Sequence, residues 1–327
     1  MQGGIIVEIL VKPIEEFKVN DKIDGFFLIK TAECRTASNS KKYLDFTIAD
    51  KTGEINGKFW NYNEGDEEIY KPNTLIKVRG SVTLWQNNMQ FKIDRIRLPR
   101  KNEDVNIADF VPSAPYSPES MYNEMMDFVS KIKDEDIRNI INYILDENKH
   151  KIMHFPAAKK NHHAIRSGLL YHTTTMLKAG EKLSEVYTFI NTDLLFGGVI
   201  LHDLAKMDEM NSSELGIVDD YTIEGQLLGH IIEGVKNIEV AAQKVGADKE
   251  VTMLLQHMIL SHHYEPEFGS PKKPMIPEAQ ILHFLDIMDA SLYDMKKAIG
   301  ETNRGEFSNP VWSLDKRKIY RPVREDL

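Results

Sequence analysis

The hydrophobic residues of this chain change period near residue 100, and that change divides it in two. Before it, apolar and polar side chains alternate, the pattern of half-buried strands. In 43–49, Leu44, Phe46 and Ile48 share one face, and Tyr43, Asp45 and Thr47 the other. In 75–85, Ile76, Val78, Val82 and Leu84 oppose Lys77, Arg79, Thr83 and Trp85. Beyond it, apolar residues recur at helical spacing: Met121, Met125, Phe128 and Ile132, then Ile137, Ile140, Ile141, Ile144 and Leu145. One packed layer cannot serve both periods, so a β domain followed by an all-α domain is expected. A chain of 327 residues is long enough for two domains.

Five segments read as strands: 26–34, 43–49, 54–60, 75–85 and 89–98. Turn signals separate them at Ser38-Asn39, Asp50-Lys51-Thr52-Gly53, Pro72-Asn73 and Asn87-Asn88. A short polar helix over 64–70 falls between the third and fourth strands, which is the order of a five-stranded OB-fold barrel. The barrel is expected over 1–100 and a proline-rich linker over 101–118, marked by Pro112, Pro115 and Pro118. The helical domain then runs over 119–302, with a basic, aromatic tail over 303–327. The opening run MQGGIIVEILVKP has no basic start and no small-residue cleavage site, so it reads as a strand and not a signal peptide. The longest apolar stretch, around 194–201, is far short of the ~20 residues a membrane helix needs. Cys34 is the single cysteine, which excludes an intramolecular disulfide and fits a cytoplasmic protein.

Charge refines the function classes. The net charge is −9, yet residues 1–110 hold 17 basic and 17 acidic side chains. The acidity therefore belongs to the helical part, which argues against a simple nucleic-acid-coating protein.

All eleven histidines fall between His150 and His283. Candidate ligands stand in or at the ends of apolar helical stretches: His172, the pair His202-Asp203, His230, the pair His262-His263, and Asp286. A polar side chain there points inward and needs a partner. Imidazole and carboxylate donors suit Mn²⁺, Fe²⁺, Co²⁺, Ni²⁺ or Zn²⁺, with no thiolate to select zinc. A carboxylate has two oxygens, so Asp203 can bridge two cations, and two cations can clamp a phosphodiester. Lys206, three residues after Asp203, shares its helical face and can neutralise charge on the phosphate. Asp286 is preferred over Asp289, one turn later. His283 is expected to pack or support, and His154 and His257 to be structural. His162 and His163 either touch substrate or cap a helix, and His163 is placed with the nucleic-acid contacts.

The order H…HD…H…HH…D over roughly 150–300 resembles the HD-domain superfamily of phosphohydrolases. Position by position, the resemblance implies that His172, His202, Asp203 and Asp286 hold one metal. It implies that His230, His262 and His263 hold a second, with Asp203 shared. Lys206 matches the HDxxK form. Many HD proteins carry Gly-Gly-Leu-Leu-Glu-His where this chain has Ser167 and Tyr171, so no third metal is expected. The β half offers a nucleic-acid grip: Lys58 with Trp60, Lys77 and Arg79 with Trp85, and Tyr43 facing away from the core. OB-folds use such aromatic platforms beside basic groups to hold single strands.

Taken together, the two halves look like the YhaM family of 3′–5′ exoribonucleases. The likeness rests on KNHHAIRSGLLYHT (160–173), ILHDLAK (200–206), EGQLLGH (224–230), HMILSHHYEPEFGSPKKP (257–274) and WSLDKRKIYRP (312–322). It implies manganese-dependent removal of nucleotides from the 3′ end of single-stranded RNA, with DNA as a second substrate, and self-association. Two rivals remain open. A nucleotide or cyclic-nucleotide phosphohydrolase has no need of a strand-binding barrel, and a non-catalytic RNA-binding protein has no need of a complete ligand set.

Overall fold

The structure is a computed structural model that describes residues 9–324. It divides into two compact units, Met1–Pro112 and Ser113–Leu327. Of the opening apolar run, Ile9–Leu10 forms strand β1, and residues 1–8 lie outside the described residues.

The first unit is a closed barrel. Its strands are β2 (Lys22–Thr36), β3 (Lys42–Asp50), β4 (Gly53–Phe59), β5 (Leu75–Trp85) and β6 (Asn88–Arg97), with helix α1 (Asp66–Ile69) between β4 and β5. The strands run β2-β3-β4-β6-β5, and β5 pairs back with β2 to close the cylinder. β1 adds to β2 in parallel. Closure removes the edges that would otherwise invite pairing with other chains. The alternation seen in the sequence sorts the side chains: Leu44, Phe46, Ile48, Ile76, Val78 and Val82 are buried, with Phe27, Phe91 and Ile93 filling the interior. Leu84 departs from the alternation and is exposed beside Trp85. The β5–β6 hairpin has run past the barrel there, turning through Gln86 and Asn87, whose φ angles of 48° and 64° are those of a type I′ turn.

The stretch expected as a linker is tied to the barrel over its first part. Arg97 donates two hydrogen bonds to Glu103, at 2.7 and 2.6 Å, and Lys51 pairs with Asp109. Polar contacts of this kind carry no periodicity, so the sequence pattern does not reveal them.

The second unit is helical: α2 (Pro118–Lys131), α3 (Glu135–Ile152), α4 (Gly168–Val186), α5 (Thr192–Leu201) and α6 (Lys206–Glu209) come first. A small hairpin, β7 (Met210–Ser212) and β8 (Val218–Tyr221), interrupts them. It is a small addition to an otherwise helical unit, and its strands of three and four residues are too short to display alternation in the sequence. The helices α7 (Ile223–Leu227), α8 (Gly229–Val245), α9 (Lys249–Ser261) and α10 (Pro277–Gly300) complete the unit. The tail is not free either. Leu314 and Ile319 bury against Ala298, and Arg321 donates to the carbonyls of Ile299 and Thr302 at the end of α10.

Candidate metal centre

From Leu194 to Leu201 helix α5 is apolar on every side and buried, as such a helix must be. Asn191 caps its start by accepting from the amides of Asp193 and Leu194. Further along, Gly198 lies against the end of the Met258 side chain of α9, which would have to shift if a side chain were added there. His202 and His262 stand one turn after these two residues, each as the C-cap of its helix. The close approach therefore brings the two imidazoles together, with ring centroids 5.3 Å apart. Both use the same local device. His202 Nδ1 bonds the Val199 carbonyl at 2.8 Å and His262 Nδ1 the Ile259 carbonyl at 2.7 Å, which turns both Nε2 atoms inward. Two helix C-termini end here, and their partial negative charge favours a cation.

Asp203 sits at the centre, 2% exposed. Its Oδ2 lies 3.3 Å from His202 Nε2 and 3.9 Å from His172 Nε2. Its Oδ1 lies 3.5 Å from His230 Nε2 and 3.8 Å from His262 Nε2. The two oxygens thus face different histidine pairs. Lys206 Nζ donates to Oδ2 at 2.7 Å. From α10, Asp286 Oδ1 comes within 3.4 Å of His172 Nε2, and Asp286 Oδ2 within 3.9 Å of His263 Nε2. All seven residues expected as metal ligands converge, and among the described residues three overlapping groups could each hold an ion: His172, His202 and Asp203; Asp203, His230, His262 and His263; and His163, His172 and Asp289.

The donor set fits a metal on its own account. Asp203 Oδ1, His230 Nε2 and His262 Nε2 are buried and make no hydrogen bond. A buried polar atom left unsatisfied costs ~1–3 kcal/mol, so three in one spot call for a shared ligand. Protonation runs the same way. Burial opposes the Asp203 charge, but Lys206 and His202 overcome it and hold the carboxyl far below its usual range. Burial and the neighbouring rings push His262 down, keeping it neutral, the form that binds metal. Burial would also depress His172, yet Asp286 and Asp289 raise it to about 9, so this ring must release a proton when a cation binds.

Asp289 faces the other nitrogen of His172. Its Oδ2 is 2.7 Å from His172 Nδ1 and 2.7 Å from His163 Nε2. Asp286 therefore lies on the Nε2 side and Asp289 behind the ring, where it fixes the tautomer. His163 corrects the sequence expectation. It is 1% exposed, bonded to Asp289 and packed 4.0 Å from the Tyr293 ring, so it cannot touch nucleic acid. A histidine dipeptide does not say which member turns inward; here His162 lines the cavity and His163 is enclosed. His283 supports the site by bonding the His262 carbonyl. Glu209, which sequence reasoning missed, lies 3.2 Å from His230 Nδ1. Its only signal was an acidic residue one helical segment after Asp203. Asp289→Asn is expected to raise the divalent-cation concentration for half-maximal activity by about 10- to 100-fold. An unchanged metal titration would show that His172 is held without it.

On the barrel, Trp60 stacks on Tyr43, with centroids 4.3 Å apart and planes at 23°, and Lys58 lies over the Tyr43 ring at 5.1 Å while pairing with Asp45 at 2.9 Å. These three expected residues form one cluster. Trp85 is exposed at the hairpin tip and Arg79 is exposed on β5. Lys77 is engaged with Asp24 and Glu103.

A closed OB-fold barrel joined to a helical unit with this histidine–aspartate centre defines a class, the HD-domain phosphohydrolases that carry a nucleic-acid-binding domain. The HD domain family matches residues 169–291, and the OB-fold nucleic acid binding domain family matches residues 29–99. Over 314 residues the chain is 38% identical to the 3′-5′ exoribonuclease YhaM of Geobacillus sp. (strain WCH70), covering 96% of both proteins. The chain belongs to the YhaM family. Among solved structures it is similar to a domain of replication protein A from Methanococcus maripaludis, at 20% identity over 28% of this chain and 96% of that one, with a TM-score of 0.23. It is also similar to asparaginyl-tRNA synthetase from Entamoeba histolytica, at 10% identity over 46% of this chain and 37% of that one, with a TM-score of 0.25. Likenesses that slight carry no argument. Among the described residues no helix is long and apolar enough to cross a membrane.

Proposed function

We propose that this protein is a 3′–5′ exoribonuclease that hydrolyses single-stranded RNA, and single-stranded DNA as a second substrate, to nucleoside 5′-monophosphates with two divalent cations. One observation carries the reading: the two oxygens of buried Asp203 face separate histidine pairs. In it, His172, His202, Asp203 and Asp286 hold one cation, and Asp203, His230, His262 and His263 the other. Cations so held lower the pKa of water and stabilise charge on the departing oxygen. His and carboxylate donors accept Mn, Fe, Co, Ni or Zn; Mn is proposed from the family.

The chain's own residues do the rest. Lys206 presents an ammonium to the phosphate. Asp289 and Glu209 hold the backs of His172 and His230, so that their Nε2 atoms stay aimed inward. The barrel keeps the strand engaged: Trp60 and Tyr43 stack on bases while Lys58, Arg79 and Trp85 flank the path. Stacking accepts any base, which suits an enzyme that must pass along arbitrary sequence. Self-association has a candidate surface in the exposed apolar row Phe284, Ile287, Met288 and Leu292 of α10.

The test is purified protein with 5′-labelled single-stranded RNA and Mn²⁺, with and without EDTA. A ladder shortening from the 3′ end, lost with EDTA, is expected. Intact RNA beside hydrolysed free nucleotides would point instead to a nucleotide phosphohydrolase, and no turnover of either to a binding protein. Trp60→Ala is expected to weaken binding of a 20-nucleotide RNA by roughly tenfold, measured by fluorescence anisotropy, since stacking is worth ~1–3 kcal/mol per base. Equal affinity would remove the Tyr43–Trp60 pair from the strand path.

A further inference from the structure

The metal centre opens into a cavity of about 1050 Å³. Lys206, His230, His263 and Asp286 form one wall, so a phosphodiester seated against them directs its nucleoside into the remaining space. Three aromatic side chains line that space: Tyr221, Tyr264 and Phe268. Two of them are already engaged. Tyr264 stacks on His283, with centroids 4.9 Å apart and planes at 28°, and the Lys273 ammonium covers it at 4.5 Å. Tyr221 carries the Lys159 ammonium at 5.6 Å. Phe268 is 69% exposed, and among the described residues no ring or cation covers it.

The ring stands on a short 3-10 turn, Pro266–Phe268, whose backbone is bonded to the centre itself. His263 Nδ1 bonds the Phe268 carbonyl at 2.7 Å, and the His263 amide donates to the hydroxyl of fully buried Ser270. Gly269 closes the turn at a φ of 94°, a conformation that favours glycine. The backbone that carries the ring is therefore tied to a proposed metal ligand. Lys160, also on the cavity wall, has no carboxylate partner among the described residues and suits a phosphate.

We propose that Phe268 is the platform on which the 3′-terminal base stacks, which sets the distance from that base to the scissile phosphate. The inference rests on the exonuclease reading above. It makes recognition of the terminal nucleotide depend on the presence of a base and not on its identity.

Two measurements test it. The first uses RNA ending in 2-aminopurine, mixed with protein in EDTA so that no cleavage occurs. Its fluorescence is expected to fall on binding to the wild type and to Phe268→Trp, but not to Phe268→Ala. The second compares Mn²⁺-supported cleavage of RNA ending in an ordinary nucleotide with RNA ending in an abasic one. The wild type is expected to prefer the ordinary end by about 10- to 100-fold in kcat/KM. Phe268→Ala should treat both ends alike, at the abasic rate. Quenching that persists in Phe268→Ala, or equal loss on both substrates, overturns the proposal. Absence of 3′ shortening by the wild type, with quenching that still depends on Phe268, would overturn the exonuclease reading and leave the platform standing.

Discussion

Asp203→Asn is expected to cut hydrolysis of single-stranded RNA by about 10³-fold or more, the largest loss of any single change to the centre. The size follows from what the carboxylate does in the proposed site. An amide is neutral and keeps one acceptor oxygen, so it can face the His172–His202 side or the His230–His262 side, but not both. Losing a shared anion from a buried cation site costs several kcal/mol of transition-state stabilisation, and ~1.4 kcal/mol is tenfold in rate. The substitution also leaves Lys206 without its carboxylate, 2.7 Å away and nearly enclosed. Breaking a buried pair typically costs ~3–5 kcal/mol, so a thermal melt must accompany the assay. The informative outcome is a folded protein whose activity no excess of Mn²⁺ restores. Activity within about tenfold of wild type, in an assay free of contaminating nuclease, would sink the bridging role.

Part of this was legible in the sequence because burial imposes a pattern. Leu44, Phe46 and Ile48 announce a strand by alternation, and Ile137, Ile140, Ile141 and Ile144 a helix by their spacing. The centre was legible for a related reason: histidines and aspartates in otherwise apolar helices have no reason to be there unless they meet. What the pattern omits is direction and close approach. Asp286 and Asp289 lie one turn apart on α10 and look alike in sequence, yet one addresses Nε2 of His172 and the other Nδ1. His162 and His163 are neighbours, and a backbone φ of 53° at His163 helps send the second inward. The β7–β8 hairpin and the Glu103–Arg97 contact are short and polar, with too few residues to show a period.

Lys206→Met is expected to lower kcat by about 10²- to 10³-fold while leaving KM for RNA nearly unchanged. The reason is placement. Its ammonium lines the cavity beside the centre, and its side chain is only 11% exposed. Burial disfavours its charge, but Asp203 more than compensates and raises its pKa above the ordinary lysine value, so it stays cationic at neutral pH. A fixed charge in a water-poor site stabilises the phosphate most when negative charge grows, in the transition state rather than the ground state. Methionine keeps the length and loses the charge. Lys206 also competes for Asp203 Oδ2, so its removal should lower, not raise, the Mn²⁺ concentration for half-maximal activity. A purely structural lysine would leave the kcat and the Mn²⁺ requirement of the folded enzyme unchanged and show only as a lower melting temperature. Lys206→Arg should recover part of kcat, because charge returns while the 2.7 Å geometry to Asp203 does not. If KM rises and kcat holds, Lys206 binds ground state and transition state alike, and the stabilisation specific to the transition state must come from the cations alone.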